Sequence, residues 1–215
     1  MGVRKPGYEP KKRNSATRKR KQIIIISTEG NNKTETNYFR KFNSDKVKIH
    51  FARGNATDPV KMAEELVLEC EEKDIKKAFG DRAYCLVDSD VDSQKNKQIA
   101  KADIVARQNK QYNMEIIVSG PCFEEWFMCH YAYSTKQYNS NEELLEDLEK
   151  HIPEYSKGRE DLYELLADSQ DNAIKNAKRL EKYCIENRLK VHTAEFQPST
   201  EVYKIIEAIR ELQNG

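Results

Sequence analysis

The sequence lacks the cysteine pairs, the long apolar runs and the net charge that would assign it to a class of protein at once. Its five cysteines are an odd, scattered set without a C-x-x-C pair, so we expect reduced thiols in a core and no disulfide framework. No apolar run approaches the length that crosses a membrane, and the first residues lack the apolar region of a signal peptide. We therefore expect a cytoplasmic protein without a membrane partner, while the formal net charge of +1 indicates no partner by itself.

Several common phosphate and metal motifs are missing as well. The first strand-to-helix loop has no second glycine followed by Lys-Ser/Thr, which excludes a Walker A loop. Asp88, Asp90 and Asp92 have the opening spacing of an EF-hand. However, Ser93 stands where that motif requires glycine, and Ile99 stands where it requires glutamate. The histidines have no ligand-like spacing, so a histidine-based metal site is not expected.

What the sequence does contain is two short buried strands that each end close to acidic residues. Residues 83–87 form an unbroken apolar run that stops at Asp88, with Asp90 two residues later. Residues 23–26 are four isoleucines, and Glu29 follows them. Because the carboxyl ends of parallel strands lie along one edge of a sheet, we expect Glu29, Asp88 and Asp90 to meet there. Close carboxylates repel one another unless a cation lies among them, and their hard oxygen atoms favour Mg²⁺ or Mn²⁺.

The same acids also have a plain structural explanation. Aspartate is a favoured N-cap residue, so Asp88 and Asp90 would cap the following helix and Glu29 would be an ordinary loop acid. That explanation suits one acid after one strand. Because the pattern occurs after two strands, we favour the shared site.

The order of the hydrophobic segments predicts an α/β fold. Strands are expected at residues 23–26, 47–51, 83–88 and 114–118, with helices at about 34–42, 59–79 and 93–112 between them. This β-α-β-α-β-α-β order implies a parallel sheet with right-handed crossovers. From residue 121 the pattern becomes helical. We therefore expect three regions: a basic tail over 1–22, an α/β domain over 23–120, and a helical extension over 121–215 packed on it.

The amino-terminal tail is strongly basic. Residues 1–22 contain nine lysines or arginines and one glutamate, with almost no apolar residues, so we expect disorder there. A basic arm can follow the phosphates of a nucleic acid, although a tail that aids solubility or folds onto the acidic body is equally compatible with the sequence. The predicted nucleic-acid contacts are Lys11, Lys12, Arg13, Arg18, Lys19 and Arg20 in the tail, with Lys33 and Lys157 in later loops.

Two further acids follow the fourth strand. Glu124 and Glu125 lie in the first turn of a helix that contains the single tryptophan, Trp126. Carboxylates in a first turn favour the helix dipole, which is the structural explanation for both. The functional alternative is that Glu124 leans toward the same sheet edge as the other acids and adds a ligand for metal or water. We expect Trp126 itself to be a core residue.

Three sequence blocks occur in a characteristic order along the chain, and two shorter segments follow near the carboxyl end. The blocks are Ser27-Thr-Glu29-Gly30 with Lys33-Thr34-Glu35, then Asp88-Ser-Asp90, then Pro121-Cys-Phe-Glu124 with Trp126 and His130-Tyr131, and the later segments are Asn172-Ala173 and Pro198-Ser-Thr200. Together they resemble the RloB family, which is linked to bacterial restriction and abortive-infection loci. The resemblance extends over about residues 22–212.

The resemblance implies a Toprim-like domain, the metal-binding α/β fold of topoisomerases, primases and OLD (overcoming lysogenization defect) nucleases. It implies that Glu29, Asp88 and Asp90 are the Toprim acids, and that an AAA or ABC-type ATPase is a possible partner. The chain departs from the family pattern at two positions. Ser89 stands where a basic residue is usual, which we expect to weaken phosphate binding, and Glu125 stands where an apolar residue is usual.

We therefore expect Mg²⁺-dependent or Mn²⁺-dependent phosphodiester hydrolysis of DNA or RNA in anti-phage defence. Glu29, Asp88 and Asp90 would hold the metal, Glu124 would join them in the catalytic set, and Glu29 is alternatively a general base. Two other functions stay open. One is a non-catalytic, metal-stabilised subunit of an ATPase complex, and the other is phosphoryl transfer on a small nucleotide. The basic tail favours a polynucleotide over a small nucleotide.

Overall fold

Strands and helices alternate through the first half of the chain, and helices dominate the second half. The computed structural model describes residues 20–30 and 33–214. The strands are β1 Gln22–Ser27, β2 Val47–Phe51, β3 Arg82–Asp88, β4 Met114–Gly120 and β5 Ser199–Thr200. The helices are α1 Lys33–Arg40, α2 Pro59–Glu72, α3 Lys95–Gln108, α4 Glu125–Tyr131, α5 Asn141–Glu149, α6 Leu162–Leu166, α7 Gln170–Glu186 and α8 Val202–Asn214, with short 3-10 turns at Lys77–Phe79, Lys110–Tyr112 and Ala167–Ser169.

The strands form a mixed, mostly parallel sheet in the order β2-β1-β3-β4-β5. β1 pairs in parallel with β2 and β3, and β3 pairs in parallel with β4, so the predicted order is confirmed for the first four strands. β5 is missing from the prediction. It is two residues long and antiparallel, and its strand character comes from pairing with Ser119 and Gly120 rather than from an apolar pattern of its own.

Both faces of the sheet are covered, which explains why its central strands are continuously apolar. Alternate side chains enter different cores. Ile25, Ala83 and Cys85 pack with α2 and α3 on one face. Ile24 and Tyr84 pack on the other face with α1 and the helices that follow β4.

The carboxyl-terminal helices share a core with the first half of the chain. Trp126 is fully buried there, as predicted, and its Nε1 donates a hydrogen bond to the Tyr38 hydroxyl at 2.9 Å. All five cysteines are buried and free, which confirms that they lie in the core. Within the described ranges, no helix is both long enough and apolar enough to cross a membrane.

Candidate functional site

The carboxyl ends of β1 and β3 bring two of the predicted acids together. Ser27 at the end of β1 lies opposite Cys85 in β3, so Glu29 and Asp88 both extend just past the paired region. The Asp88 backbone N–H donates to Glu29 Oε1 at 3.3 Å. The parallel pairing predicted from the two apolar runs therefore places these acids side by side.

A lysine that was not predicted lies between Glu29 and Asp90. Lys95 is the first residue of α3, and its Nζ lies 2.6 Å from Glu29 Oε1 and 2.8 Å from Asp90 Oδ2. Its side chain is 10% exposed. Burial alone would lower the pKa of Lys95, but the Glu29 and Asp90 carboxylates outweigh burial and raise it, so the ammonium is charged. Burial also raises the pKa of Glu29, and Lys95 offsets that effect only in part.

Asp90 is fixed by contacts on both of its carboxylate oxygens. Asn141 Nδ2 donates to Asp90 Oδ1 at 2.9 Å, while Lys95 holds Oδ2. The Asp90 backbone N–H donates to the Pro121 carbonyl at 2.9 Å, and its φ of 50° places it in the left-handed region that aspartate tolerates. These contacts turn Asp90 back toward the sheet edge.

The helix-cap explanation for the two aspartates is wrong. Gln94 is the N-cap residue of α3, and its own side chain makes no capping hydrogen bond. The aspartate that does bind the start of the helix is Asp92, whose Oδ1 accepts from the Gln94 backbone N–H at 2.8 Å. Asp88 and Asp90 therefore face the sheet edge instead.

Glu124 reaches the same edge from the end of β4. It is buried, and the Tyr155 hydroxyl donates to Glu124 Oε1 at 2.8 Å. Tyr155 belongs to the loop 153–158, which docks on α1. In that contact the Gly158 N–H donates to Thr34 Oγ1, and Asn37 Nδ2 donates to the Gly158 carbonyl, both at 2.8 Å.

The docked loop also brings in Lys157, one of the predicted nucleic-acid contacts. Lys157 is exposed. Burial alone would lower its pKa, but Glu124, Cys122, Asp88 and Glu35 together raise it. Lys157 therefore lies within electrostatic reach of the sheet edge.

Glu35 is a member of the site to which the sequence analysis gave no role. It lies in the first turn of α1 and is buried. Burial raises the pKa of Glu35 to about 8, and repulsion from Glu124 adds to this effect. The Lys33-Thr34-Glu35 block of the family resemblance carried a signal for this residue, whereas nothing local in the sequence pointed to Lys95.

We call Glu29, Glu35, Asp88, Asp90 and Glu124 the carboxylate cluster. Burial, followed by repulsion from Glu35, Glu29 and Glu124, raises the pKa of Asp88 well above its usual range. Such repulsion disfavours the charged forms unless a cation enters, and the donors are all carboxylate oxygens. The set therefore fits Mg²⁺ or Mn²⁺ chemically. Within residues 20–30 and 33–214, no three His, Cys, Asp or Glu side chains are gathered into a ready ligand group, so binding requires side-chain adjustment.

Glu125 faces away from the carboxylate cluster. It is buried, and burial raises its pKa well above the usual range. Its charge acts on Cys129, Tyr138 and Cys184, which lie in the core around α4. Successive helix positions point about 100° apart, which separates Glu125 from Glu124.

The predicted basic residues are spread over the molecule. Arg20 donates two hydrogen bonds of 2.9 Å to the buried carboxylate of Asp81. Asp81 immediately precedes β3, so this ion pair lies at the opposite end of the strand from Asp88. The contact of Arg20 with nucleic acid stays a prediction.

Lys33 lines a cavity of about 630 Å³ beside Glu29, together with Arg40. Lys11, Lys12, Arg13, Arg18 and Lys19 lie outside the described residues.

Comparison with known proteins gives one positive result. The family model described as RloB-like protein matches residues 24–209, a span that contains the whole carboxylate cluster and both of its lysines. No curated protein and no solved structure matches the chain. The matched span covers most of the sequence, and the chain belongs to the RloB-like family.

Proposed function

We propose that this protein is a Mg²⁺-dependent or Mn²⁺-dependent nuclease that hydrolyses phosphodiester bonds of DNA or RNA. The observation that carries the proposal is the convergence of acids from the ends of β1, β3 and β4 on one sheet edge, where burial and nearby carboxylates raise the pKa values of Glu29 and Asp88. This is the edge at which open α/β sheets bind ligands. A Toprim-like identity of the domain is part of the proposal and is supported by the family resemblance.

Glu29, Asp88 and Asp90 would hold the metal, with Glu124 beside them. A bound divalent cation would polarise the phosphate ester and lower the pKa of a water molecule. Tyr155 and the loop 153–158 orient Glu124 from the other side.

Two other residues suit roles around the scissile phosphate. Glu35, with its pKa near 8, can hold or release a proton close to neutral pH, which suits a general acid or base. Lys157 is charged and exposed above the cluster, so it can stabilise negative charge that develops on a transferred phosphate.

A polynucleotide is the favoured substrate class. The cavity beside Glu29 is lined by Lys33 and Arg40, two cations that can follow a phosphate backbone, and by Phe51, an aromatic ring on which a base can stack. The basic residues of the tail would add affinity that does not depend on sequence.

Incubation with three substrates tests the proposal. The purified protein would be mixed with Mn²⁺ and, separately, plasmid, single-stranded DNA and total RNA, with a dinucleotide as the small-molecule control. We expect a polynucleotide to be cleaved by the parent and by Asp45→Asn, an exposed aspartate just before the amino end of β2. Chelator and Asp88→Asn should each abolish cleavage. Undiminished cleavage by Asp88→Asn would overturn the proposed site, and turnover of the dinucleotide alone would favour the small-nucleotide alternative.

A second candidate is a non-catalytic subunit that the same acids stabilise. The ion pairs of Lys95 favour it, because they neutralise part of the cluster without any metal. The anti-phage role and the AAA or ABC-type ATPase partner belong to both candidates and are supported by the family resemblance. Co-purification with an ATPase encoded beside the gene, combined with the cleavage assay, separates an active nuclease from a silent subunit.

A further inference from the structure

One polar face of helix α1 lines the cavity of about 630 Å³ beside Glu29. The α1 residues of the lining recur at helical spacing, so they form a single stripe along the helix. They are Lys33, Thr36, Asn37 and Arg40. The volume lies within the range of about 300–1,000 Å³ that is usual for ligand pockets.

The two cations of this stripe are not explained by the folding of the helix. The neighbouring Lys41 pairs with Glu164, whereas neither Lys33 nor Arg40 forms a salt bridge within the described part of the chain. Arg40 lies in the last turn, where it suits the helix dipole, but Lys33 lies in the first turn, where a positive charge opposes it. A bound anion beside Lys33 would remove this conflict.

Another part of the cavity wall is aromatic. Phe51 is the last residue of β2 and pairs with Ile26 of β1, so it lies at the same carboxyl edge of the sheet as Glu29. It is half-buried, since it packs against the core and also lines the cavity. Cations and an aromatic ring in one cavity match the phosphate and the base of a nucleotide.

The cavity adjoins the proposed cleavage site directly. Thr28 and Gly30, which precede and follow Glu29, are both part of its lining. Gly158 lines it as well, and a Cβ atom there would lie 3.2 Å from the Cβ of Lys33, so glycine lets the loop pass close beside this lysine. Among the described lining residues Glu160 is the single acid, and it is exposed.

We propose that this cavity binds one unpaired nucleotide of a single-stranded nucleic acid, with the phosphate held by Lys33 and Arg40 and the base stacked on Phe51. The inference rests on the proposed nuclease function and specifies the form of its substrate. A base within a duplex is stacked between its neighbours and must be extruded before it can reach an aromatic side chain. Every base has an aromatic face, so binding in this cavity does not select a sequence.

Binding to three labelled ligands tests the role of Phe51. Fluorescence anisotropy would be measured in chelator with a single strand of about ten nucleotides, its duplex and a base-free sugar-phosphate strand of equal length. Phe51→Leu should weaken binding of the single strand at least about fivefold, because stacking is lost. It should leave binding of the duplex and of the base-free strand unchanged. Phe51→Tyr should bind the single strand as the parent does, since it keeps an aromatic face.

Salt dependence tests the two cations. Each phosphate contact with a single strand contributes about 0.7 to the slope of log affinity against log salt, so Lys33→Met and Arg40→Met should each flatten the slope by about that amount. The matched controls are Lys110→Met and Arg107→Met. Both residues are exposed and lie between the end of α3 and the start of β4, at the opposite end of the sheet, so their slopes should equal that of the parent.

The outcomes separate this inference from the proposed function. Equal losses of Phe51→Leu on the single strand and on the base-free strand would show that the ring acts by packing alone, and would overturn the inference. Unchanged slopes in Lys33→Met and Arg40→Met, or no binding of the single strand by the parent, would overturn it too. A parent that shows the expected binding but cleaves nothing with Mn²⁺ would reject the nuclease and keep the nucleotide site. An active parent without these differences would reject the cavity alone.

Discussion

Two groups of ionisable side chains in this protein are balanced in opposite ways. The carboxylate cluster contains five acids, and Lys95 contacts only two of them, Glu29 and Asp90. A second group, which we call the His192 cluster, consists of Asp103, His192, Glu201 and Lys204. There the His192 Nδ1 contacts Asp103 at 2.8 Å and its Nε2 contacts Glu201 at 2.9 Å, while Lys204 contacts Glu201 as well. Two acids are thus matched by two cations.

The pKa values of the two groups diverge accordingly. Burial alone would raise the pKa of Glu201, but His192 and Lys204 lower it below the usual range. In the carboxylate cluster, burial and repulsion from neighbouring acids raise the pKa of Asp88 well above the usual range of an aspartate. A group in which positive and negative charges balance stabilises the fold. A group with an excess of negative charge destabilises the fold, and such groups are typical of sites that act on a ligand. The His192 cluster ties α3 to the segment around β5, and we assign it no chemistry.

The largest expected effect is a loss of activity that follows substitutions in the carboxylate cluster but not substitutions in the His192 cluster. Asp88→Asn or Glu29→Gln should lower nuclease activity at least about 100-fold, since disturbing even an outer partner of a metal ligand costs 10–100-fold. His192→Asn should leave activity within about threefold of the parent, because it lies in the matched group. Initial rates on the preferred substrate, with circular dichroism as the check on folding, measure both. Equal losses in all three variants would remove the distinction between the groups.

The next effect is on stability, and it depends on pH. Burial alone would lower the pKa of His192, but Asp103 and Glu201 raise it to about 9, against about 6.5 in the unfolded chain. A raised folded pKa means that the stabilisation is complete below pH 6.5 and is lost as pH rises through 9. The loss should be roughly 3 kcal/mol, from about 1.4 kcal/mol for each pKa unit between 6.5 and 9.

Urea unfolding of the parent and of His192→Asn at pH 6 and pH 9.5 measures this effect. Asparagine tolerates the positive φ of 60° at this position, so the substitution adds little backbone strain. We expect the two proteins to differ at pH 6 and to converge at pH 9.5. A constant difference across this range would show that the imidazolium does not stabilise the fold.

A smaller effect distinguishes neighbouring acids of one helix. Glu124→Gln should lower kcat/KM about 10-fold, because Glu124 reaches the carboxylate cluster. Glu125→Gln should stay within about twofold, since Glu125 is buried in the core around α4, away from the carboxylate cluster, and glutamine has nearly the same shape. Steady-state kinetics of the two variants compare them directly. A larger loss in Glu125→Gln would place the important carboxylate in the core instead of at the sheet edge.

The smallest effect concerns metal and stability together. At ten times its dissociation constant Mg²⁺ should stabilise the parent by about 1.4 kcal/mol, or roughly 3–5 °C in Tm for a chain of this size. Asp88→Asn removes one repelling charge and one ligand. It should melt at or above the parent in chelator and gain little from Mg²⁺. Thermal melts in chelator and in Mg²⁺ test this, and a variant that melts lower than the parent yet responds equally to Mg²⁺ would contradict the metal site.

Local sequence patterns were enough to predict the four parallel strands and the position of Glu29, Asp88 and Asp90 beyond the ends of two of them. The apolar runs before Asp88 and Glu29 indicate parallel strands, and parallel strands place their ends together. Lys95 was missed because a lysine in the first turn of a polar helix resembles any solvated lysine. Its role depends on how closely α3 approaches the end of β1 in space. Lys95 and Glu29 are in contact although they are 66 residues apart in the sequence. β5 was missed for the same reason, since two residues show no period and become a strand only beside β4.

The docking of loop 153–158 on α1 also has a consequence for the order in which the molecule is completed during synthesis. The contacts of Gly158 with Asn37 and Thr34 span 121 and 124 residues of sequence. A ribosome releases the chain from its amino end, so β1, α1 and β3 emerge well before the loop that carries Tyr155 and Lys157. A nascent chain thus exposes the first acids without the hydroxyl that orients Glu124 and without the cation above it. Any chemistry that needs all of these groups can therefore begin only once translation has passed residue 158.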